Sequence, residues 1–222
     1  MRKYEFTGET KETSILSRVT TLHRVRAIVD FGHVKAGEVG GWIEKEENLS
    51  HNGLAWVCDD AIVYGNAIVC DNAIVRDDAI VSDNAWVCDN AIVRDDATVS
   101  NNAIVSDNAI VRDNAEISDN VWVNGDAIIC GNTCVCTNAR ICDNAMVSST
   151  NHILVIGPIG SRDDFITFYH DKENDITVRI GCFNGKIDKF LEKVSQTHGG
   201  SKHELTYQAA AELAKLQIDV SL

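Results

Sequence analysis

From Ala55 to Thr150 the chain repeats a six-residue pattern without insertion: Ala-x-Val-x-(Asp/Gly/Asn)-(Asn/Asp), 16 times over. The first position is Ala in 14 of the 16 hexads, failing at Val121 and Thr133, and the third is always Val or Ile. Residues two apart share one face of a strand, so each hexad predicts a short strand with Ala and Val on one side, followed by a corner. A second period of 18 lies on top: Arg76-Asp77-Asp78 returns as Arg94-Asp95-Asp96 and then as Arg112-Asp113-Asn114. Six residues per side and 18 per turn give three sides, a triangular column of stacked coils whose strands pair in parallel at about 4.8 Å. Sixteen hexads make a little over five turns. Ala and Val are small and uniform enough to fill the narrow interior. The sixth-position Asn or Asp is expected at the corner in a left-handed backbone conformation. Aligned Asn66, Asn84, Asn102, Asn120 and Asn138 are expected to bond along the column.

The residues between and after Ala and Val face outward and stack in columns. Side one shows Trp56, Ile74, Ile92, Ile110, Ile128 and Met146; side three shows Ile68, Trp86, Ile104, Trp122 and Arg140. Side two begins with Ile62 and Ile80, then turns polar at Thr98 and Glu116 before Cys134. Burying one Ile is worth about 1.5–3 kcal/mol, so the apolar columns of sides one and three are expected to carry a homo-oligomer interface, dimer or trimer. Beside side one run Arg76, Arg94 and Arg112, which repel one another unless anions lie between them. Asp77, Asp95 and Asp113 can supply that charge; an anionic, phosphate-bearing small molecule is the alternative, since arginine forks bind phosphate oxygens in pairs.

This repeat resembles the hexapeptide-repeat, left-handed parallel β-helix family, over Ala55–Thr150 and extending back through Gly40-Gly41-Trp42-Ile43-Glu44 as an irregular first turn. The left hand is implied by the resemblance. The segments VYGNAIV and VRDDAIV are similar to an uncharacterised, transferase-like branch of it, and the chain ends resemble uncharacterised phage and prophage proteins. Family members include acyltransferases and γ-class carbonic anhydrases. The latter hold zinc on three histidines, and residues 55–150 contain none. The former carry a catalytic His beside an extruded loop; here no hexad is interrupted, and His51 and His152 flanking the column are the weak catalytic candidates.

The expected organisation is mainly β: an N-terminal β cap over residues 1–48, the β-helix over 49–151, and a small α+β module over 152–222. In that module Ile153–Ile156 reads as a strand and Phe165–His170 with Ile176–Gly181 as a hairpin. Ile187, Phe190, Leu191 and Val194 form one helical stripe; Leu205, Ala209, Leu213 and Leu216 form another, opened by Ser201 and Glu204 as a capping box.

Composition narrows the function. Acidic residues outnumber basic ones 33 to 20 in 222 residues, a formal charge of -13, and residues 55–150 hold 15 acids, four arginines and no lysine. Such a chain repels nucleic-acid phosphates and anionic lipid, so direct nucleic-acid or membrane binding is not expected. No apolar stretch suits a membrane span or signal peptide, so a cytoplasmic location, bacterial or in a phage-infected host, is expected, with eight reduced cysteines. Cys58 and Cys130 (side one), Cys70, Cys88 and Cys142 (side three), and Cys134 and Cys136 (side two) read as outward thiols. Cys134-x-Cys136 lacks a partner pair and Cys182, His198 and His203 make only a weak set, so no metal and no cofactor is expected. The reading that follows is a non-catalytic, oligomeric binding protein for an anionic, nucleotide-like molecule or a partner protein. The alternatives are an acyl-CoA-dependent acyltransferase and an acidic decoy for a nucleic-acid-binding protein.

Overall fold

The computed structural model describes residues 2–15 and 18–220. Two long strands, β1 (Tyr4–Ile15) and β2 (Arg18–Ala27), pair antiparallel, and β2 pairs antiparallel with β3 (Val39–Ile43). Then follow sixteen two-residue strands, β4 (Trp56–Val57) to β19 (Met146–Val147), each one hexad. Strands three apart pair in parallel and in register, Ile92 with Ile74 on one side and with Ile110 on the other. The second and fourth amides of a hexad donate to carbonyls one coil on, as from Ile92 N to Ala109 O at 2.9 Å, while the Ala amide closes the corner within its own coil, as from Ala91 N to Cys88 O at 3.2 Å. The result is a three-sided parallel β-solenoid whose first and third hexad positions are buried throughout.

The column has about six turns, where the repeat alone counts five. The extra coil is built from non-repeating residues: β3 pairs in parallel with Ile62–Val63 on side two, and Leu49 bridges Val69 on side three. Here the spacing to the next coil is no longer 18, so the period does not reveal it. Gly40 and Gly41 make it possible, since a Cβ on either would lie 2.6–2.8 Å from Trp56, Val57, Val25 or Ala61. Because β1, β2 and β3 continue the sheet of side two, the N-terminal hairpin extends one wall of the column.

The left-handed corner residue is the fifth of every hexad but the last, not the sixth. Asp59, Asp71, Asp77, Asp83, Asp89 and Asp95 all have φ between 55° and 61°. Asp suits this place twice over. It tolerates the conformation, and its carboxylate accepts the amide of the equivalent residue one coil on, Asp95 from Asp113 N at 3.2 Å and Asp113 from Gly131 N at 2.9 Å. Glycine replaces it where the next coil comes too close: at Gly125 a Cβ would sit 2.5 Å from Asp143 N. The sixth-position amides form the expected ladder, Asn66→Asn84→Asn102→Asn120→Asn138, at 3.1–3.2 Å per rung.

Both ends are covered by the chain itself, as exposed backbone edges demand. At the bottom, Lys3 Nζ donates to Ala55 O at 2.7 Å and the Tyr4 hydroxyl to Leu49 O at 2.9 Å. At the top sits a four-stranded antiparallel sheet of β20 (Ile153–Ile159), β21 (Asp164–His170), β22 (Ile176–Ile180) and β23 (Phe183–Lys186). Arg140 N donates to Thr167 Oγ1 at 3.0 Å, and Tyr169 joins the solenoid core. Helices α1 (Ile187–His198) and α2 (Lys202–Gln217) pack on that sheet around Ile166, Phe168, Val178 and Phe190. α1 buries the expected stripe. α2 does not: it packs through Tyr207, Ala210, Ala211 and Ala214, leaving Leu205 67% and Leu216 85% exposed, with Ala209 and Leu213 also exposed.

Candidate functional site

Side three displays the two tryptophans openly: Trp86 is 48% and Trp122 49% exposed, with Ile104 between them and the Arg140 guanidinium 5.5 Å from the Trp122 ring centre. On side one, Ile74, Ile92, Ile110, Ile128 and Met146 are half-buried by stacking on one another. Trp56 pairs in register with Ile74 at the foot of this column but does not reach the surface. It is 3% exposed, covered by the chain's own N-terminal segment, with Phe31 packed edge-on at 5.4 Å. Cys130, expected to face outward, is likewise buried.

The arginine column is internally compensated. Arg94 lies 2.8 Å from Asp95, Arg112 2.9 Å from Asp113 and Arg76 3.4 Å from Asp77, each guanidinium held by the carboxylate that follows it in sequence. These carboxylates are the same ones that accept amides from the next coil. Any anion binding here must compete with an acid that the fold itself fixes.

The flanking histidines are built into the covers. His51 stacks on Tyr4 at 4.2 Å and its Nδ1 accepts the Lys3 amide at 3.4 Å; burial pulls its pKa down. His152 Nδ1 faces Ser148 Oγ at 3.3 Å, and burial, together with His170 at 4.7 Å between ring centres, lowers its pKa against the pull of Asp219.

A cleft that the repeat gives no hint of opens in the C-terminal module, between the β22–β23 turn and the face of α1. It encloses about 200 Å³ and is floored by Ile180, Phe183, Phe190 and Val194. Its rim carries Arg162, Lys193, His198, Tyr207 and Asp164. The Tyr207 hydroxyl accepts Ser161 N at 3.3 Å, which fixes the loop bearing Arg162. Neither Arg162 nor Lys193 has an ion-pair or hydrogen-bond partner among the described residues, in contrast to all three column arginines. Cys182 and His198 both line this cleft, but with His203 they do not converge as metal ligands among the described residues. Sequence reasoning missed the cleft because its walls come from residues 161 to 207, joined only by tertiary packing. A shallower hollow of about 520 Å³ runs along the Asn84–Asn138 corner to Phe165 and is polar throughout its corner wall.

Comparison with known proteins bears on the repeat. The YdcK β-solenoid repeat matches residues 55–71. The chain is 38% identical over 77 residues to the "Uncharacterized acetyltransferase YdcK" of Escherichia coli (strain K12), an alignment covering 32% of this chain. It spans about a quarter, 24%, of that relative's length. The repeat match supports the left-handed sense of the coil. No helix among the described residues is long and apolar enough to cross a membrane. With its uninterrupted hexads wound into a three-sided parallel column and these two matches, the chain fits a hexapeptide-repeat β-helix family.

Proposed function

We propose that this chain is a non-catalytic binding protein whose ligand is a small anion bearing an apolar or aromatic group, seated in the C-terminal cleft. The observation that carries this reading is the pairing of an apolar floor with Arg162 and Lys193, two cations with no ion-pair partner among the described residues, in a chain of net charge -13 whose exposed arginine column is neutralised in place. In a site partly shielded from water, a carboxylate or phosphate gains most from a cation that has no competing partner. The volume suits an aryl or short acyl group with its acid, or one end of a nucleotide. Copies of the chain associate through side three, where Trp86, Ile104 and Trp122 form one apolar strip of the kind that marks interfaces.

Isothermal titration with aryl and short acyl carboxylates, their phosphates, nucleotides and acetyl-CoA tests the cleft. Saturable heat from one class, weakened at least about tenfold by Arg162→Glu and unchanged by Arg94→Glu, is expected. Heat lost in Arg94→Glu instead would place the anion on the solenoid column and overturn the cleft. The name of the Escherichia coli relative makes acetyl transfer the second reading. Turnover of acetyl-CoA that disappears in His51→Ala or His152→Ala would establish it in place of binding. Sedimentation of Trp86→Glu/Trp122→Glu against the parent tests association; a parent that stays monomeric at all concentrations removes the interface.

A further inference from the structure

We infer that the corner formed by Cys70, Asp71 and Cys88 is a binding site for a soft divalent metal ion such as zinc. Cys70 and Cys88 occupy the fourth position of two hexads one coil apart, so their thiols are stacked in register. The left-handed backbone at Asp71 turns its carboxylate back to the same point, and Cys70 Sγ lies 3.3 Å from Asp71 Oδ2. The two sulfurs and the carboxylate oxygen all fall within 4.8 Å of one another. Zinc–sulfur bonds are about 2.3 Å, so closing the three donors around one ion takes side-chain movement of about 1 Å.

Three features separate this corner from the rest of the column. Cysteine followed by Asp occurs in two successive coils only here: Cys58-Asp59 and Cys142-Asp143 have arginine or asparagine in the neighbouring coil. Cys142 is three coils from Cys88, about 14 Å on the strand spacing, and takes no part. Asp71 is held in place, because its Oδ2 also accepts Asp89 N at 3.5 Å. Asp89 adds a second carboxylate, its Oδ2 3.8 Å from Cys88 Sγ. Neither acid is in an ion pair among the described residues, so the corner carries uncompensated negative charge that a dication neutralises. Two sulfur donors select zinc or cadmium over magnesium or calcium, and the open side toward solvent leaves a fourth position for water. Binding releases the two thiol protons to solvent and forms two metal–thiolate bonds and one metal–carboxylate bond, with no change of oxidation state.

The test uses the full, reduced chain carrying Cys134→Ser, Cys136→Ser and Cys182→Ser, which removes the exposed thiols elsewhere. Cadmium is titrated and the ultraviolet thiolate-to-metal charge-transfer band is followed, with zinc as competitor. One ion per chain is expected. Cys70→Ser and Cys88→Ser should each weaken binding at least about 100-fold and Asp71→Asn at least about tenfold, with no competition from excess magnesium or calcium. Serine already fills the equivalent position at Ser82, Ser100, Ser106 and Ser118, so these variants keep the fold, and circular dichroism checks it. No band in the reduced parent, or a band that survives Cys70→Ser/Cys88→Ser, overturns the site. So does a Cys70–Cys88 pair that forms a disulfide under mild oxidation yet takes no cadmium when reduced.

Discussion

The solenoid and the C-terminal module solve the same problem of satisfying polar groups in opposite ways. Along the solenoid the strand amides meet carbonyls one coil on, Arg76, Arg94 and Arg112 each meet the carboxylate that follows in sequence, and the core is Ala and Val at nearly every level. In the module the core is varied and aromatic, Asp171 is buried at the centre of its own cluster, and the side chains of Arg162 and Lys193 have no ion-pair partner among the described residues, while a leucine stripe is exposed. Repetition pairs most polar groups with equivalents in the neighbouring coil, so unpaired charge gathers where the repeat varies, at the Cys70–Cys88 corner, or has ended, at the rim of the C-terminal cleft.

That contrast can be broken most severely from inside the column. Val93→Asp puts an unpaired carboxylate into a fully buried site between identical neighbours and should cost more than about 5 kcal/mol, read as loss of the cooperative urea transition. In the module the equivalent lever is the Asp171 cluster, where Lys186 Nζ at 2.7 Å and Thr177 Oγ1 at 2.6 Å hold the carboxylate. Lys186→Met leaves that charge uncompensated and should cost about 3 kcal/mol, a smaller loss that spares the solenoid's circular dichroism.

Acidity and alkalinity should then pick the two regions apart. Burial alone pushes the Asp171 carboxyl up, but the bonds from Lys186 and Thr177 outweigh it and hold the pKa below the ordinary 3.8. A folded-state pKa that is depressed stabilises above the unfolded value, so this contribution fades as pH falls below about 4. In the solenoid, burial and then Asp59 push the Cys58 thiol up to about 12 from the ordinary 9.0. A raised acid pKa stabilises below the unfolded value, so this contribution is lost as pH rises through 9 toward 12. Urea midpoints measured across pH should show the acid limb flattened in Asp171→Asn and the alkaline limb flattened in Cys58→Ser. The smallest effect is expected on the outer face of α2. Leu213→Asp should change stability by no more than about 0.5 kcal/mol, because the helix packs through its alanines.

How much of this was legible depends on whether a residue's neighbours are its own repeats. The inward Ala and Val, the parallel register and the asparagine ladder follow from period six and period 18, since every contact is to an equivalent residue one coil away. Trp56 obeys the outward rule of its position but is covered by Tyr4 and Phe31, which no period connects to it. On α2 the leucine stripe is the more apolar face. The sheet and α1 instead accept the small side of Ala210, Ala211 and Ala214, which lets backbones approach. Hydrophobicity ranks the faces without knowing the space available. The Cys70–Cys88 corner lay between these extremes: the stacking was readable, but placing the left-handed residue one position late hid the carboxylate that completes the donor set.

Because each fifth-position carboxylate reaches only to the coil after it, every coil is a complete and interchangeable unit with a bottom and a top. The distance between the N-terminal hairpin and the C-terminal cleft is therefore set by a whole number of turns. Excising residues 91–108, one full circuit of 18, would join Asn90 to Ala109 in register and draw the two covers together by about 4.8 Å. Length in this molecule behaves as a ruler graduated in single steps, along which the spacing of its two covered ends can be lengthened or shortened while neither end is rebuilt.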